Sequence, residues 1–302
     1  MTTTSDYAKE ITRAAAEMGL RLPLVVEPHD KSVTVNGLRF HYLDWGNEDK
    51  PPMLLLHGGA QTAHSWDFFA LAVRPDFHVV ALDQRGHGDS QWAPDGDYSL
   101  ESNQRDIHSF VQEIGFDRFV LVGLSMGGRN TLVYTGTHPE RVRAAVIVDV
   151  GPETRREGRR QIREFVTTTD EMDSVEAFAR RVMERNPHRK LPQLVGSLQW
   201  NLKQLPNGKW TWKYDKLLRT PGFRPARGTV EDLWACARNI ACPTLIVRGG
   251  DSLVLDREGA EHLQQAIRGS HLVEVTNAGH TVPGDNPLGF EAAVKPFLKG
   301  LP

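Results

Sequence analysis

The chain has 302 residues, with 36 Lys and Arg against 38 Asp and Glu, so its net charge is only −2. This balance gives no reason to expect nucleic acid or an anionic membrane as a partner. No apolar run approaches the roughly 20 residues of a spanning helix, and the acid-containing first 20 residues do not predict a signal peptide. Two cysteines, Cys236 and Cys242, offer no disulfide framework, which favours buried free thiols and a cytoplasmic location.

In chain order, the first half of the sequence predicts strands that alternate with helices. An amphipathic helix is expected over residues 4–19, and an Asn36-Gly37 turn joins two antiparallel strands after it. Strands are predicted at 32–36, 39–45, 53–56, 78–82, 119–122 and 144–148, and further helices at 63–73, 100–114 and 128–138. This alternation is typical of βαβ units, so we expect a mostly parallel sheet that is buried on both faces.

The alternation stops after Gly151-Pro152 and resumes with an apolar strand at 243–247. Residues 152–228 show helical patterns without an apolar strand and therefore predict a helical insertion after the sixth strand. Between positions 152 and 230 there are 17 Lys and Arg but only 9 Asp and Glu. A solvated helical surface is the favoured explanation; the alternative is that this charge attracts an anionic substrate.

One segment predicts nucleophilic catalysis. Gly123-Leu124-Ser125-Met126-Gly127 fits G-x-S-x-G between a predicted strand and a predicted helix, the setting of a nucleophile elbow. Glycine is expected at 123 and 127 because a Cβ atom there would clash with nearby backbone. A serine hydroxyl needs a base to attack, and we select His280, which lies on a Gly-flanked loop after the strand predicted at 272–275.

Two further turns complete the pattern. His57-Gly58-Gly59 follows the strand at 53–56, so the backbone N–H groups of Gly59 and Met126 are the candidate oxyanion hole. The segment from Asp83 to Ser90 is similar to the D-x-R-G-H-G-x-S turn of the α/β-hydrolase superfamily. With four motifs in the family's order, the chain resembles that superfamily over about residues 33–302.

The resemblance implies an α/β-hydrolase core at 1–151 and 229–302, with helices on both faces of the sheet, and a helical cap at 152–228. It also implies a triad acid, for which two positions remain open. Asp149 ends the sixth strand, 24 residues after Ser125, as in some members. Asp251 follows the seventh strand, where many members carry Gly-x-x-Asp, but counting from Gly249 that position holds Ser252. A Gly-Gly-x-Ser turn accompanies the first arrangement in similar hydrolases, so Asp149 is favoured.

The implied function is a serine hydrolase that cleaves a carboxylic ester or lactone through an acyl-enzyme, without cofactor or metal. We expect a small-molecule ester or lactone as substrate, with an anionic substrate as the alternative that the basic insertion raises, and a monomer or homodimer. The alternatives are hydrolysis of a carbon–carbon bond in a dienoate ring-cleavage product, perhydrolase chemistry, and a ligand-binding, receptor-like module. Four tryptophans are candidates for lining the pocket, although aromatic side chains are more often core: Trp66, Trp200, Trp210 and Trp212.

Overall fold

The computed structural model describes residues 5–22, 24–168, 171–184 and 186–301. Its strands are β1 (His29–Val35), β2 (Leu38–Asp44), β3 (Pro52–Leu56), β4 (His78–Leu82), β5 (Phe119–Leu124), β6 (Val142–Val148), β7 (Glu171–Met172), β8 (Leu202–Gln204), β9 (Trp210–Trp212), β10 (Thr244–Gly249) and β11 (His271–Val275). Its α-helices are α1 (Asp6–Glu17), α2 (Asp67–Val73), α3 (Leu100–Glu113), α4 (Met126–Thr137), α5 (Arg156–Thr168), α6 (Val175–Met183), α7 (Leu191–Leu198), α8 (Lys216–Arg219), α9 (Val230–Asn239), α10 (Arg257–Ala266), α11 (Val282–Asp285) and α12 (Pro287–Lys299). Within the described ranges, no helix combines the length and apolar character needed to cross a membrane.

Eight strands form the central sheet in the order β1-β2-β4-β3-β5-β6-β10-β11. β2 pairs antiparallel with β1 and β4, and all other neighbours are parallel. One face packs against α1, α2 and α12, and the opposite face packs against α3, α4, α9 and α10. The predicted parallel sheet with helices on both faces is therefore confirmed.

The hairpin turn between β1 and β2 lies at the predicted position. Asn36 and Gly37 have φ angles of 51° and 76°, the left-handed values that a two-residue hairpin turn needs at both positions. Before this hairpin, Ser5 caps α1 by accepting a hydrogen bond from the Ala8 N–H at 3.2 Å. The predicted helix is thus present, and its first predicted residue, position 4, lies outside the described residues.

Between β6 and β10 the chain forms an insertion that contains α5 to α8 and a small antiparallel sheet in the order β7-β9-β8. Buried residues such as Phe178, Leu194 and Trp212 give it a hydrophobic cluster of its own. The predicted helical insertion therefore also contains short strands, which have only two or three residues each and show no apolar strand run in the sequence. Of the predicted cap, residues 169, 170 and 185 lie outside the described residues.

The topology brings the candidate catalytic residues to one edge of the sheet. Ser125 follows β5, Asp149 follows β6 and His280 follows β11, so all three lie beyond the carboxyl ends of parallel strands. The insertion leaves the sheet at the same edge. Ligands of open α/β sheets bind in the crevice at this edge.

Candidate active site

Ser125 occupies a strained turn between β5 and α4. Its φ and ψ angles of 55° and −108° are rare for a residue with a side chain. A Cβ at Gly123 would lie 2.2 Å from the Gly127 carbonyl oxygen, and a Cβ at Gly127 would lie 2.1 Å from the Leu56 oxygen. Both glycines are therefore needed for the close backbone approach that exposes the hydroxyl.

The side chains of Ser125, His280 and Asp149 form a continuous hydrogen-bonded chain. His280 Nε2 lies 2.8 Å from Ser125 Oγ, and His280 Nδ1 lies 2.7 Å from Asp149 Oδ2. The Asp149 side chain has no exposed surface, whereas the His280 side chain is 19% exposed. A buried carboxylate on Nδ1 leaves Nε2 free to take the serine proton, which is the geometry of nucleophilic catalysis.

The structure brings Asp149, and not Asp251, to His280. Besides the imidazole, the Asp149 carboxylate accepts hydrogen bonds from the Gly249 N–H at 3.0 Å and the Ser252 hydroxyl at 2.5 Å. The side chain of Asp251 is 58% exposed, and its Oδ2 lies 3.9 Å from His188 Nε2. Ser252, which stands at the aspartate position of the Gly-x-x-Asp pattern, thus donates to the carboxylate of Asp149, which follows β6.

The turn after β3 lies directly beside the nucleophile. A Cβ added to Gly58 would be 3.5 Å from the Ser125 Cβ, and the Gly127 N–H donates to the His57 carbonyl at 3.2 Å. In the described part of the chain, the N–H groups of Gly59 and Met126 donate no hydrogen bond. Two free donors beside the hydroxyl can stabilise an oxyanion.

Comparison with known proteins agrees with this geometry. A family model described as alpha/beta hydrolase fold matches residues 51–287. The chain belongs to the α/β-hydrolase family. Esterase Rv0045c from Mycobacterium tuberculosis is 30% identical over 293 residues, which are 94% of this chain and 93% of that protein. The sn-1-specific diacylglycerol lipase ABHD11 from Mus musculus is 27% identical and aligns over 86% of this chain and 85% of its own.

Solved structures give the same result. An α/β hydrolase from Novosphingobium aromaticivorans superposes with a TM-score of 0.80 at 27% identity, covering 91% of this chain and 99% of its own. The crystal structure of Rv0045c superposes with a TM-score of 0.76 at 29% identity and covers 99% of both chains. The protein is therefore a hydrolase with this family's fold.

The four tryptophans of this hydrolase have different environments. Trp66 is 1% exposed and packs in the core against Phe69 and Phe290, so it does not line the pocket entrance as expected. Trp212 is 3% exposed and belongs to the hydrophobic cluster of the insertion. Both are large apolar side chains whose burial stabilises the fold. Trp200 and Trp210 are half-buried, and for them the pocket role stays a prediction.

One group of side chains in the hydrolase has the composition of a metal site. The potential ligand atoms of His41, Asp83 and Asp89 lie within 4.8 Å of one another. However, Asp83 already accepts hydrogen bonds from the Ala63 N–H at 2.7 Å, the Asp89 N–H at 2.9 Å and His41 Nδ1 at 2.7 Å. These bonds hold the turn after β4 against the turn after β3, so the group has a structural role.

Sequence reasoning missed Asp285, which joins the histidine loop of the hydrolase to the insertion. Its Oδ2 accepts from the Gly279 N–H at 3.1 Å, and its Oδ1 accepts from the Thr281 hydroxyl at 2.6 Å. These two residues flank His280. From the insertion, Arg189 Nε donates to Asp285 Oδ1 at 3.0 Å. Only a contact map could have revealed this pair, since 96 residues separate its members.

We expect Arg189→Met to destabilise the hydrolase by about 3 kcal/mol near neutral pH, because the fully buried Asp285 loses its charged partner. Burial alone would raise the pKa of Asp285, but the Arg189 charge and hydrogen bonds from Thr281 and Asn186 hold it below 3.8. A carboxyl group whose pKa is lower in the folded state than in the unfolded state stabilises the fold at pH values above the unfolded-state pKa. That stabilisation is lost as the pH falls through the folded-state pKa. The difference in the free energy of unfolding between wild type and variant, measured with urea, should therefore shrink below about pH 4.

Arg180→Met is the matched control, because Arg180 forms an exposed pair with Glu176 at 2.6 Å. Exposed pairs contribute at most about 1 kcal/mol. If both variants lost the same free energy of unfolding, the contact between Arg189 and Asp285 would contribute no more than an exposed ion pair.

Proposed function

We propose that this hydrolase cleaves carboxylic esters through a covalent acyl-enzyme on Ser125. The observation that carries the proposal is the unbroken chain of hydrogen bonds from Ser125 through His280 to Asp149, with distances of 2.8 Å and 2.7 Å. The names of its relatives, an esterase and a diacylglycerol lipase, support an ester as the substrate class. The alternative substrate is a lactone, a cyclic ester that the same chemistry would open.

In the proposed mechanism, His280 Nε2 accepts the Ser125 proton while the oxygen attacks the substrate carbonyl. Asp149 binds the Nδ1 side of the ring and stabilises the imidazolium that forms. The Gly59 and Met126 N–H groups donate to the oxyanion of the tetrahedral intermediate, and the alcohol leaves with the proton from His280. Water activated by His280 then releases the acid and restores the serine.

The insertion has a different role in this proposal. Residues 152–228 would act as a cap that selects the substrate, because they leave the sheet at the edge where the triad lies. The chemistry resides in the core, at 1–151 and 229–302. A cytoplasmic location, which the cysteine pattern favours, also belongs to the proposal.

A substrate panel tests the reaction class. We expect the wild type to hydrolyse p-nitrophenyl butyrate and a δ-lactone, and not a dienoate with a carbon–carbon bond to cleave. If the protein cleaves only the dienoate, the proposed ester hydrolysis is wrong and hydrolysis of a carbon–carbon bond takes its place. Stoichiometric release of one p-nitrophenol per protein, followed by a persistent adduct, would instead indicate a receptor-like module.

A further inference from the structure

Three arginines that have no acidic partner among the described residues lie at the same edge of the sheet as the triad. Arg129 is the fourth residue of α4, Arg159 is the fourth residue of α5, and Arg227 lies two residues before Thr229, the N-cap of α9. The Arg129 side chain is half-buried, whereas Arg159 and Arg227 are exposed.

The three positive charges are close enough to act on one another. Burial, followed by the charges of Arg227 and Arg159, lowers the pKa of the Arg129 guanidinium to about 10. Desolvation by the surrounding protein, although part of the side chain is exposed, and then the charges of Arg159 and Arg224 lower the pKa of Arg227. Within the described residues, no carboxylate contributes to either pKa. The neighbouring positive charges therefore disfavour the charged form of Arg129 and of Arg227.

Four other arginines of the insertion do have acidic partners. Ion pairs at 4.0 Å or less join Arg155 to Asp256, Arg160 to Glu157, Arg180 to Glu176 and Arg189 to Asp285. No such ion pair involves Arg129, Arg159 or Arg227 in the part of the chain that the structure describes.

Hydrogen bonds position the loop that carries Arg227 against α5 and α3. Arg163 of α5 donates to the Phe223 carbonyl at 3.2 Å, and the Leu100 N–H donates to the Ala226 carbonyl at 2.8 Å, which fixes the loop that carries Arg227. Two of the arginines lie in first helical turns, where the partial positive charge of the helix terminus disfavours a cation. A bound anion would relieve both this repulsion and that between the guanidinium groups.

The cluster is also close to the proposed nucleophile. The Arg129 N–H donates to the Ser125 carbonyl at 2.9 Å, so the two residues are one helical turn apart, a rise of about 6 Å. Side chains of an α-helix lean toward its N-terminus, and the N-terminus of α4 is where the Ser125 hydroxyl is exposed. An anion on Arg129 would therefore lie within a few carbon atoms of the reacting carbonyl.

We propose that Arg129, Arg159 and Arg227 bind a carboxylate of the substrate, so that this hydrolase prefers half-esters of short dicarboxylic acids or similar anionic esters. This inference rests on the proposed ester hydrolysis. Guanidinium groups bind carboxylates through paired N–H···O bonds, and hydrogen bonds to charged groups are stronger than those between neutral groups. The half-buried Arg129 would contribute most.

The test compares kcat/KM for an anionic ester with kcat/KM for neutral p-nitrophenyl butyrate. Mono-p-nitrophenyl glutarate places the carboxylate on the acyl part, and 4-carboxyphenyl butyrate places it on the alcohol part. In Arg129→Gln, we expect the ratio of anionic to neutral ester to fall at least about tenfold for one of these probes. The ratio should fall less in Arg227→Gln, because Arg227 is exposed. In both variants the fall in the ratio should be smaller at high salt.

Arg160→Gln is the matched control. It removes the same charge from α5, but Arg160 pairs with Glu157 at 3.0 Å and with Glu164 at 3.9 Å. The ratio should stay at the wild-type value in this variant. A ratio that changes equally in Arg129→Gln and Arg160→Gln would overturn the carboxylate site.

Calorimetric binding of glutarate separates this inference from the proposed reaction. If the wild type hydrolyses no ester, ester hydrolysis fails, but glutarate binding that is lost in Arg129→Gln and kept in Arg160→Gln still supports the carboxylate site. If esters are hydrolysed and glutarate binds wild type and Arg129→Gln equally, the carboxylate site is wrong and the proposed reaction stands.

Discussion

Ser125→Ala is expected to abolish ester hydrolysis while the protein stays folded. The hydroxyl is the proposed nucleophile, and His280 Nε2 lies 2.8 Å from it, with no other hydrogen-bond partner on that nitrogen in the described chain. In a serine protease, removing the nucleophile lowers kcat by about 10⁶-fold. The variant should show this loss in kcat for p-nitrophenyl butyrate, with an unchanged melting temperature.

Ser197→Ala provides the matched control. Ser197 is an exposed serine of α7 whose hydroxyl donates to the Leu194 carbonyl at 3.2 Å. Its substitution should leave kcat at the wild-type value. If Ser125→Ala keeps most of the activity, the reaction does not use the elbow serine.

Asp149→Asn and Asp251→Asn should have very different effects. Asp149 Oδ2 lies 2.7 Å from His280 Nδ1, and a neutral amide there would hold the imidazole in the wrong tautomer. In a serine protease this change lowers kcat by about 10⁴-fold. Asp251, whose side chain is 58% exposed, has no contact with the imidazole, so Asp251→Asn should change kcat less than about twofold.

The melting temperature of both variants must be measured beside kcat, because Asp149 also accepts hydrogen bonds from Gly249 and Ser252. A large loss of kcat at Asp251 and a small one at Asp149 would assign the acid to the turn after β10. That result would also contradict the argument from the 24-residue spacing between Ser125 and Asp149.

The elbow and the sheet could be predicted because their physical requirements leave clear signals in the sequence. Glycine at 123 and 127 is required by backbone contacts of 2.2 Å and 2.1 Å. The buried parallel strands have near-continuous apolar residues, such as those of β5 and β6. Both signals are local, so they are visible without the fold.

Features that depend on distant contacts were harder to predict. Asp149 and Asp251 both end strands, and only the fold shows which carboxylate meets His280 across 131 residues of sequence. Trp66 follows a functional turn, yet its ring direction is set by packing against Phe290. The arginine cluster combines α4, α5 and the loop before α9, and no sequence pattern joins these three positions.

The most direct test of the account is to trap the acyl-enzyme. Wild-type protein mixed with p-nitrophenyl butyrate and quenched in acid during the first turnovers should gain the mass of one butyryl group. Peptide mass spectrometry should locate that group on Ser125, and Ser125→Ala should show no gain. Turnover of the ester without any acyl adduct, or with the adduct on another residue, would contradict the central claim.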